Sequence, residues 1–314
     1  MALDPAIEVI DKRFYGLVIH NAHIDHLWSG ARWTEGPVYH PAGRYLLFSD
    51  IPNDRTLRYD ELSGTVHVFE QPASNQNGHC LDLEGRVVSC EHRGRAVSRI
   101  GHDGRREVLA DRFEGKRLNS PNDVVVHSDG GVWFTDPTYG IDSDYEGDRA
   151  ESEIGASNVY RIDPDGSIAA VITDMVRPNG LAFSPDESIL YVADTGVSHV
   201  GRACPPDIRA YPVAADGRTT AGGPFAYTTF ATCNSGVFDG FRVDRAGNVW
   251  SSAGDGVHCF APDGTLLGKI HLPEVVANVE FGSLKRNRLY ICATTGLYAM
   301  YLNTAGCVPG PSPD

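Results

Sequence analysis

The stretch Ser120-Pro121-Asn122-Asp123-Val124-Val125-Val126-His127-Ser128-Asp129-Gly130-Gly131-Val132-Trp133-Phe134-Thr135-Asp136 reads as a β-hairpin. An amide leads into a short β-branched run, Asp-Gly-Gly makes a tight connection, and a Val/Trp/Phe strand returns. The same phrase recurs from Glu35-Gly36-Pro37-Val38, Asn77-Gly78-His79-Cys80, Asn179-Gly180-Leu181-Ala182, Asp239-Gly240-Phe241-Arg242 and Asn278-Val279-Glu280-Phe281. In every copy the leading polar residue stands eight positions before the turn, at Gly43, Gly85, Gly130, Glu187, Gly247 and Arg286. Leaders separated by 42, 45, 57, 60 and 39 residues mark stacked or radial supersecondary units. A third and usually a fourth strand follow, as at 57–60 with 65–69 and at 158–162 with 168–171. Four antiparallel strands per unit predict an all-β, six-bladed β-propeller.

With 314 residues and 41% apolar side chains, six repeats leave no room for a second core, so one domain is expected. Its parts are a segment at 1–30, blades at 31–301 and a Pro/Gly-rich tail at 302–314. The last unit lacks a fourth strand, and an N-terminal strand within residues 13–19 is expected to close the ring and cover the open edge. A net charge of −14 offers no basic footprint for nucleic acid. No apolar run approaches the roughly 18 residues of a membrane span, so no membrane partner is expected. The N-terminus lacks a basic and then apolar leader, and the seven cysteines include no Cys-x-x-Cys, which together favour a reducing cytoplasm. Cys80 and Cys90 fall on neighbouring strands and read as free thiols. His20, His23 and His26 have the spacing of a metal-binding helical turn, and equally that of a polar surface segment.

In a propeller blade the first strand lines the central channel, so the six leaders form a ring of carboxylates and amides at one mouth. The connections after the second strands return to that mouth and bring Asp50, His92, Pro137, Tyr139, Asp194, Asp255 and Thr295 around it. Two of them, 136–157 and 194–207, are long, and long loops on a rigid scaffold commonly carry function. Carboxylates and amide oxygens without thiols or paired imidazoles suit a hard cation, Ca²⁺ best, Mg²⁺ or Mn²⁺ also and Zn²⁺ less. The competing reading is that Asn/Asp-Gly is turn chemistry, the side chain capping its own backbone. Glu35 weighs against it, since Glu is a poor turn former.

Trp33-Thr-Glu-Gly-Pro-Val-Tyr-His40, Ser120-Pro-Asn-Asp123, Arg177-Pro-Asn-Gly-Leu-Ala-Phe-Ser184 and Phe238-Asp-Gly-Phe-Arg-Val-Asp244 resemble the senescence marker protein/gluconolactonase/regucalcin family, in its bacterial gluconolactonase-like branch. The resemblance runs over about residues 30–300. It implies one catalytic divalent cation, commonly Ca²⁺, held by Glu35, Asn122, Asn179 and Asp239, with Asn77 and Asn278 as channel neighbours. An Arg and a Lys that contact the sugar in animal branches are replaced here by Ser120 and Val176. Asn119, His92, Arg177 and Arg117 are the substitute donors, and Tyr139, Asn77 and Asn278 complete the expected substrate contacts.

No Gly-x-Ser-x-Gly elbow or His-Glu-x-x-His motif competes. The function expected is metal-assisted hydrolysis of a small sugar lactone such as gluconolactone, with Asp239 as first and Asp123 as second choice of proton acceptor. Phosphotriester hydrolysis at the same metal and a non-catalytic calcium-binding propeller are the alternatives. The acidic insertion at 142–153 is expected to tune substrate preference, and the protein to act as a monomer or small homo-oligomer.

Overall fold

The structure is a computed structural model describing residues 3–223 and 226–308. Six antiparallel sheets are arranged radially as a β-propeller. Their innermost strands are Thr34–His40, Gln76–Leu81, Val124–Val126, Pro178–Phe183, Phe241–Val243 and Val276–Gly282, one for each of blades one to six. Each inner strand touches the next, and the sixth returns to the first.

Apolar side chains on both faces of each blade bury themselves between neighbours rather than in one central core. Six clusters fill the six blade interfaces. Trp133 with Leu190 and Tyr211 joins blades three and four, Tyr39 with Tyr290 joins one and six, and Trp250 with Phe281 joins five and six. Such pairs dominate the burial energy of a domain like this.

The eighth residue after each leader is left-handed in five units, with φ of 77° at Gly85, 87° at Gly130, 57° at Glu187, 84° at Gly247 and 52° at Arg286. In the first unit the left-handed residue is Arg44 (φ 51°), one later than the expected Gly43.

An N-terminal strand completes the last blade as expected, but from a different place in the chain. Residues 13–19 do not form the closing strand; Lys12–Gly16 is a 3₁₀ turn whose Phe14 is fully buried against blade five. The outer strand of blade six is Asp25–Ser29, paired antiparallel with Gly296–Tyr301. A further strand, Ile7–Val9, extends blade five to five strands by pairing with Leu266–His271. The three histidines go to separate partners, His20 stacking on Tyr15, His23 bonding Asp4 and His26 stacking on Tyr298, so they gather no metal. All seven cysteines are free. No described helix is long and apolar enough to cross a membrane. The end of the expected tail, 309–314, lies outside the described residues.

The glycine after a leader is explained by the closeness of neighbouring inner strands. A Cβ on Gly36 would lie 1.8 Å from the Asn77 carbonyl oxygen, and one on Gly180 would lie 2.1 Å from that of Asp239. A Cβ on Gly240 would strike the Asn278 side chain, and one on Gly78 would meet the Asp123 side chain and the Asn122 carbonyl oxygen. We expect Gly180→Ala to cost about 3 kcal/mol in denaturant unfolding, because backbone rather than a movable side chain must yield. Gly16→Ala, where a Cβ meets nothing within 4 Å, should change stability by less than about 0.5 kcal/mol.

Candidate active site

The inner strands are irregular where the leaders sit. Register shifts fall between Glu35 and Val38, Gln76 and His79, Pro178 and Leu181, and Val276 and Asn278. A bulge re-aims the side chain at its position. Here it recurs at leader after leader, and the ring it builds is almost dry: Glu35, Asn77 and Asn122 are each 4% exposed, Asn179 5% and Asn278 1%, while Asp239 remains partly open.

Within the ring the two expected carboxylate ligands face a shared problem. Burial pushes the Glu35 carboxyl up to about 8, with the Asp123 charge adding to the effect. Asp239 is held well above the usual carboxylate range by burial first, then by the Glu35 and Asp123 charges. Two anions in a narrow, poorly hydrated channel favour taking a proton or a cation. Asn278 Nδ2 donates to Glu35 Oε2 at 2.9 Å and fixes one side of the pair; an Asn179 hydrogen bond steadies Asp239 on the other. Asn122 makes no side-chain hydrogen bond among the described residues, so its amide is free to ligate. The donor set of two carboxylates with unengaged amide oxygens fits a hard divalent cation. No cluster of three or more His, Cys, Asp or Glu suited to a metal occurs among the described residues.

Several expected contacts have other work. Asn278 donates to Glu35 and accepts from the backbone N–H of Val279, so it orients a carboxylate. Asn119 is fully buried; its amide donates to the Asp136 and Ala156 carbonyls and accepts from Ser152, which leaves nothing for a ligand. Asp123 turns one oxygen to its own strand at Val124 N and the other toward Arg242, 3.8 Å away. Arg242 also pairs with Glu280 at 2.8 Å and lines a cavity of about 340 Å³ at the opposite end of the channel. Asp123 is therefore a counter-charge beneath the ring, and of the two proton-acceptor candidates only Asp239 is partly open. Arg177 is tied to Asp142 at 3.0 Å and lies over the Tyr139 ring, and the Tyr139 hydroxyl meets Thr195 Oγ1 at 2.5 Å. Thr195 in turn accepts from Asn179 Nδ2 at 3.4 Å.

One role escaped sequence reasoning, although Asp50 and Asp194 were expected around the mouth. Asp50, Asp136 and Asp194, at the ends of second strands, accept backbone N–H bonds from the residues two and three before a leader. The donors are Arg32 and Trp33, Asn119 and Ser120, and Val176 and Arg177. These three clasps fix the approach of Glu35, Asn122 and Asn179 to the channel. They also explain why Ser120 and Val176 work at their positions, since each contributes a main-chain N–H that any side chain leaves intact.

Comparison with known proteins fits this geometry. A model of the SMP-30/Gluconolactonase/LRE-like region matches residues 33–295. The chain belongs to this family. It is 33% identical over 302 residues to a gluconolactonase of Zymomonas mobilis, covering 90% of this chain and 82% of that one. It is 30% identical over 275 residues to the pentonolactonase XacC of Haloferax volcanii, covering 85% and 84%. A solved gluconolactonase of Xanthomonas campestris superposes with a TM-score of 0.86 at 38% identity, over 94% of each chain. A calcium-binding regucalcin of Agrobacterium tumefaciens, at 19% identity and a TM-score of 0.74 over 92% of this chain and 97% of that one, shares the fold.

The electrostatics of this family member's ring make a signed prediction. Burial and mutual repulsion favour a proton on the Glu35/Asp239 pair in the cation-free protein, so cation binding should expel it. Apparent Ca²⁺ affinity should therefore rise with pH through the neutral range. Calorimetric titration in buffers of different ionisation heat reads the released proton directly; an affinity flat between about pH 6 and 9 would contradict the shared-charge arrangement.

Proposed function

We propose that this protein hydrolyses small sugar lactones at a single divalent cation, by size and donor preference Ca²⁺, held by Glu35, Asn122, Asn179 and Asp239. The observation carrying this reading is the pair of mutually repelling carboxylates brought together in the channel. Its support in kinship is that relatives alike over most of their length are named gluconolactonase and pentonolactonase. When bound, such a cation supplies Lewis-acid stabilisation of negative charge developing on the ester carbonyl oxygen.

The chain's own residues do the rest. Asn278 and the backbone N–H of Gly36 hold Glu35 in one orientation, so the charge faces a fixed point. Thr195 and Asn179 do the same for the other side of the ring. Asp239 accepts the proton of the attacking water, because it is the ring carboxylate with solvent access. Ligation lowers a carboxylate's basicity, and the burial that raises it acts in the opposite sense. Preorganised dipoles of this sort stabilise a transition state without reorganising during the reaction.

The test is turnover of D-glucono-1,5-lactone followed by pH drift, with a phosphotriester in parallel. Chelator should lower lactone turnover by about a hundredfold or more and added Ca²⁺ should restore it. Glu35→Gln and Asp239→Asn should lose a similar factor while unfolding in chelator at a denaturant midpoint no lower than that of the wild-type protein, because each substitution removes part of the carboxylate repulsion. Turnover that ignores chelator, or a phosphotriester cleaved in preference to every lactone, would overturn the assignment.

A further inference from the structure

The insertion between the second and third strands of blade three is bound on three sides. Asp142 pairs with Arg177 and His199 of blade four, at 3.0 and 3.3 Å. Asp148 meets Arg93 of blade two at 3.2 Å. Ser152 donates to Asn119, and Glu153 accepts from the Arg117 N–H, within blade three. Two glycines let it press down: a Cβ on Gly147 would lie 2.1 Å from the Gly140 carbonyl oxygen, and one on Gly140 would lie 2.4 Å from His92 Cβ. The segment thus straddles the ring from blade two to blade four.

His92 ties this segment to the ring. Its Nδ1 lies 3.1 Å from the Glu146 carbonyl oxygen and its Nε2 lies 3.2 Å from Asn77 Nδ2. A carbonyl only accepts and an amide nitrogen only donates, so the imidazole is neutral with its proton on Nδ1. Burial holds it in that state by pushing its pKa down to about 4. Because Asn77 Nδ2 is committed to His92, Asn77 Oδ1 is left over. It is buried without a hydrogen-bond partner, in a residue only 4% exposed.

The Glu146 side chain is a second acceptor without a partner. No hydrogen bond or ion pair among the described residues involves its carboxylate, and its charge reaches both Asp142 and Asp239. The donors nearby, Arg177 and His199, are taken by Asp142. Burial and the Asp142 charge push Glu146 up to about 7, while the residue stays partly open to solvent and to a ligand. An unpaired buried acceptor such as Asn77 Oδ1 costs stability unless a ligand brings a donor to it.

We propose that Glu146 and Asn77 Oδ1 form the hydroxyl-reading wall of the substrate site and select polyhydroxylated lactones over lactones with a bare ring. This rests on the lactonase reading above. The recognition is physically sharp, because a site that hydrogen-bonds a hydroxyl is left with unpaired groups when an analogue lacks it. The insertion thereby contributes a specificity residue from outside the repeats, positioned by His92.

The experiment compares kcat/KM for D-glucono-1,5-lactone and δ-valerolactone, which share the reacting ester and differ in hydroxyls. The wild-type protein should prefer the hydroxylated lactone, and Glu146→Ala should lower that preference about tenfold or more, mainly through KM. Calorimetric binding of the unreactive D-gluconolactam should weaken in the same variant, a readout independent of turnover. A preference that survives in Glu146→Ala, both rates falling by one factor, would overturn the proposal and make Glu146 part of the chemistry. Unchanged lactam binding would overturn it as well. A wild-type protein that opens neither lactone would remove the lactonase reading itself, and this inference with it.

Discussion

Two carboxylates forced into one narrow channel are the constraint around which this propeller is arranged. Glu35 and Asp239 come from blades one and five, far apart in the chain, and only closure of the ring brings them together. Their mutual repulsion in a nearly dry channel is unfavourable by itself. It persists because six apolar blade interfaces, each independent of the ring, hold the strands in place. The scaffold thus stores an electrostatic mismatch that, under the proposed function, a divalent cation would relieve, stabilising the native state by linkage.

Much of the remaining polar structure serves to keep that mismatch aimed. Asn278 and Asn179 each hold one carboxylate, and Asp50, Asp136 and Asp194 clasp the backbone leading to three leaders. Below the ring, Arg242 shared between Asp123 and Glu280 keeps a positive charge close without entering the mouth. Above it, the insertion adds an element that does not follow the six-fold pattern. Under the proposed function, chemistry in the repeats and selectivity in an insertion would be a division that lets one change without the other.

The fold was legible because one phrase, a polar leader followed eight residues later by a turn, is written six times and its strands follow from local pattern. The family was legible for the same reason, its motifs being the leader segments themselves. Closure was misplaced because Asp25–Ser29 alternates weakly and gains its strand character only from pairing with Gly296–Tyr301. Residues 13–19 look more strand-like, yet Phe14 is better buried against Gly268 and Trp250 from a 3₁₀ turn. At the ring, residue type was readable and hydrogen-bond allegiance was not. Only the family motifs separated Asn278, spent on Glu35, from Asn122, which is free; residue type and spacing did not. The aspartate clasps were invisible because their donors are main-chain N–H groups, which leave no mark on side-chain identity. Glu146 was hidden among the acidic residues of a long loop whose path depends on Gly140, Gly147 and His92.

The central claim is that four of the six leaders, Glu35, Asn122, Asn179 and Asp239, hold one hard cation. Anomalous diffraction from crystals grown with Mn²⁺, a redox-silent stand-in for Ca²⁺ with a usable absorption edge, tests it most directly. The account predicts one strong peak on the channel axis, about 2.0–2.6 Å from carboxylate oxygens of Glu35 and Asp239 and from amide oxygens of Asn122 and Asn179. A channel without a peak at saturating Mn²⁺, or a peak ligated by other residues, would contradict it.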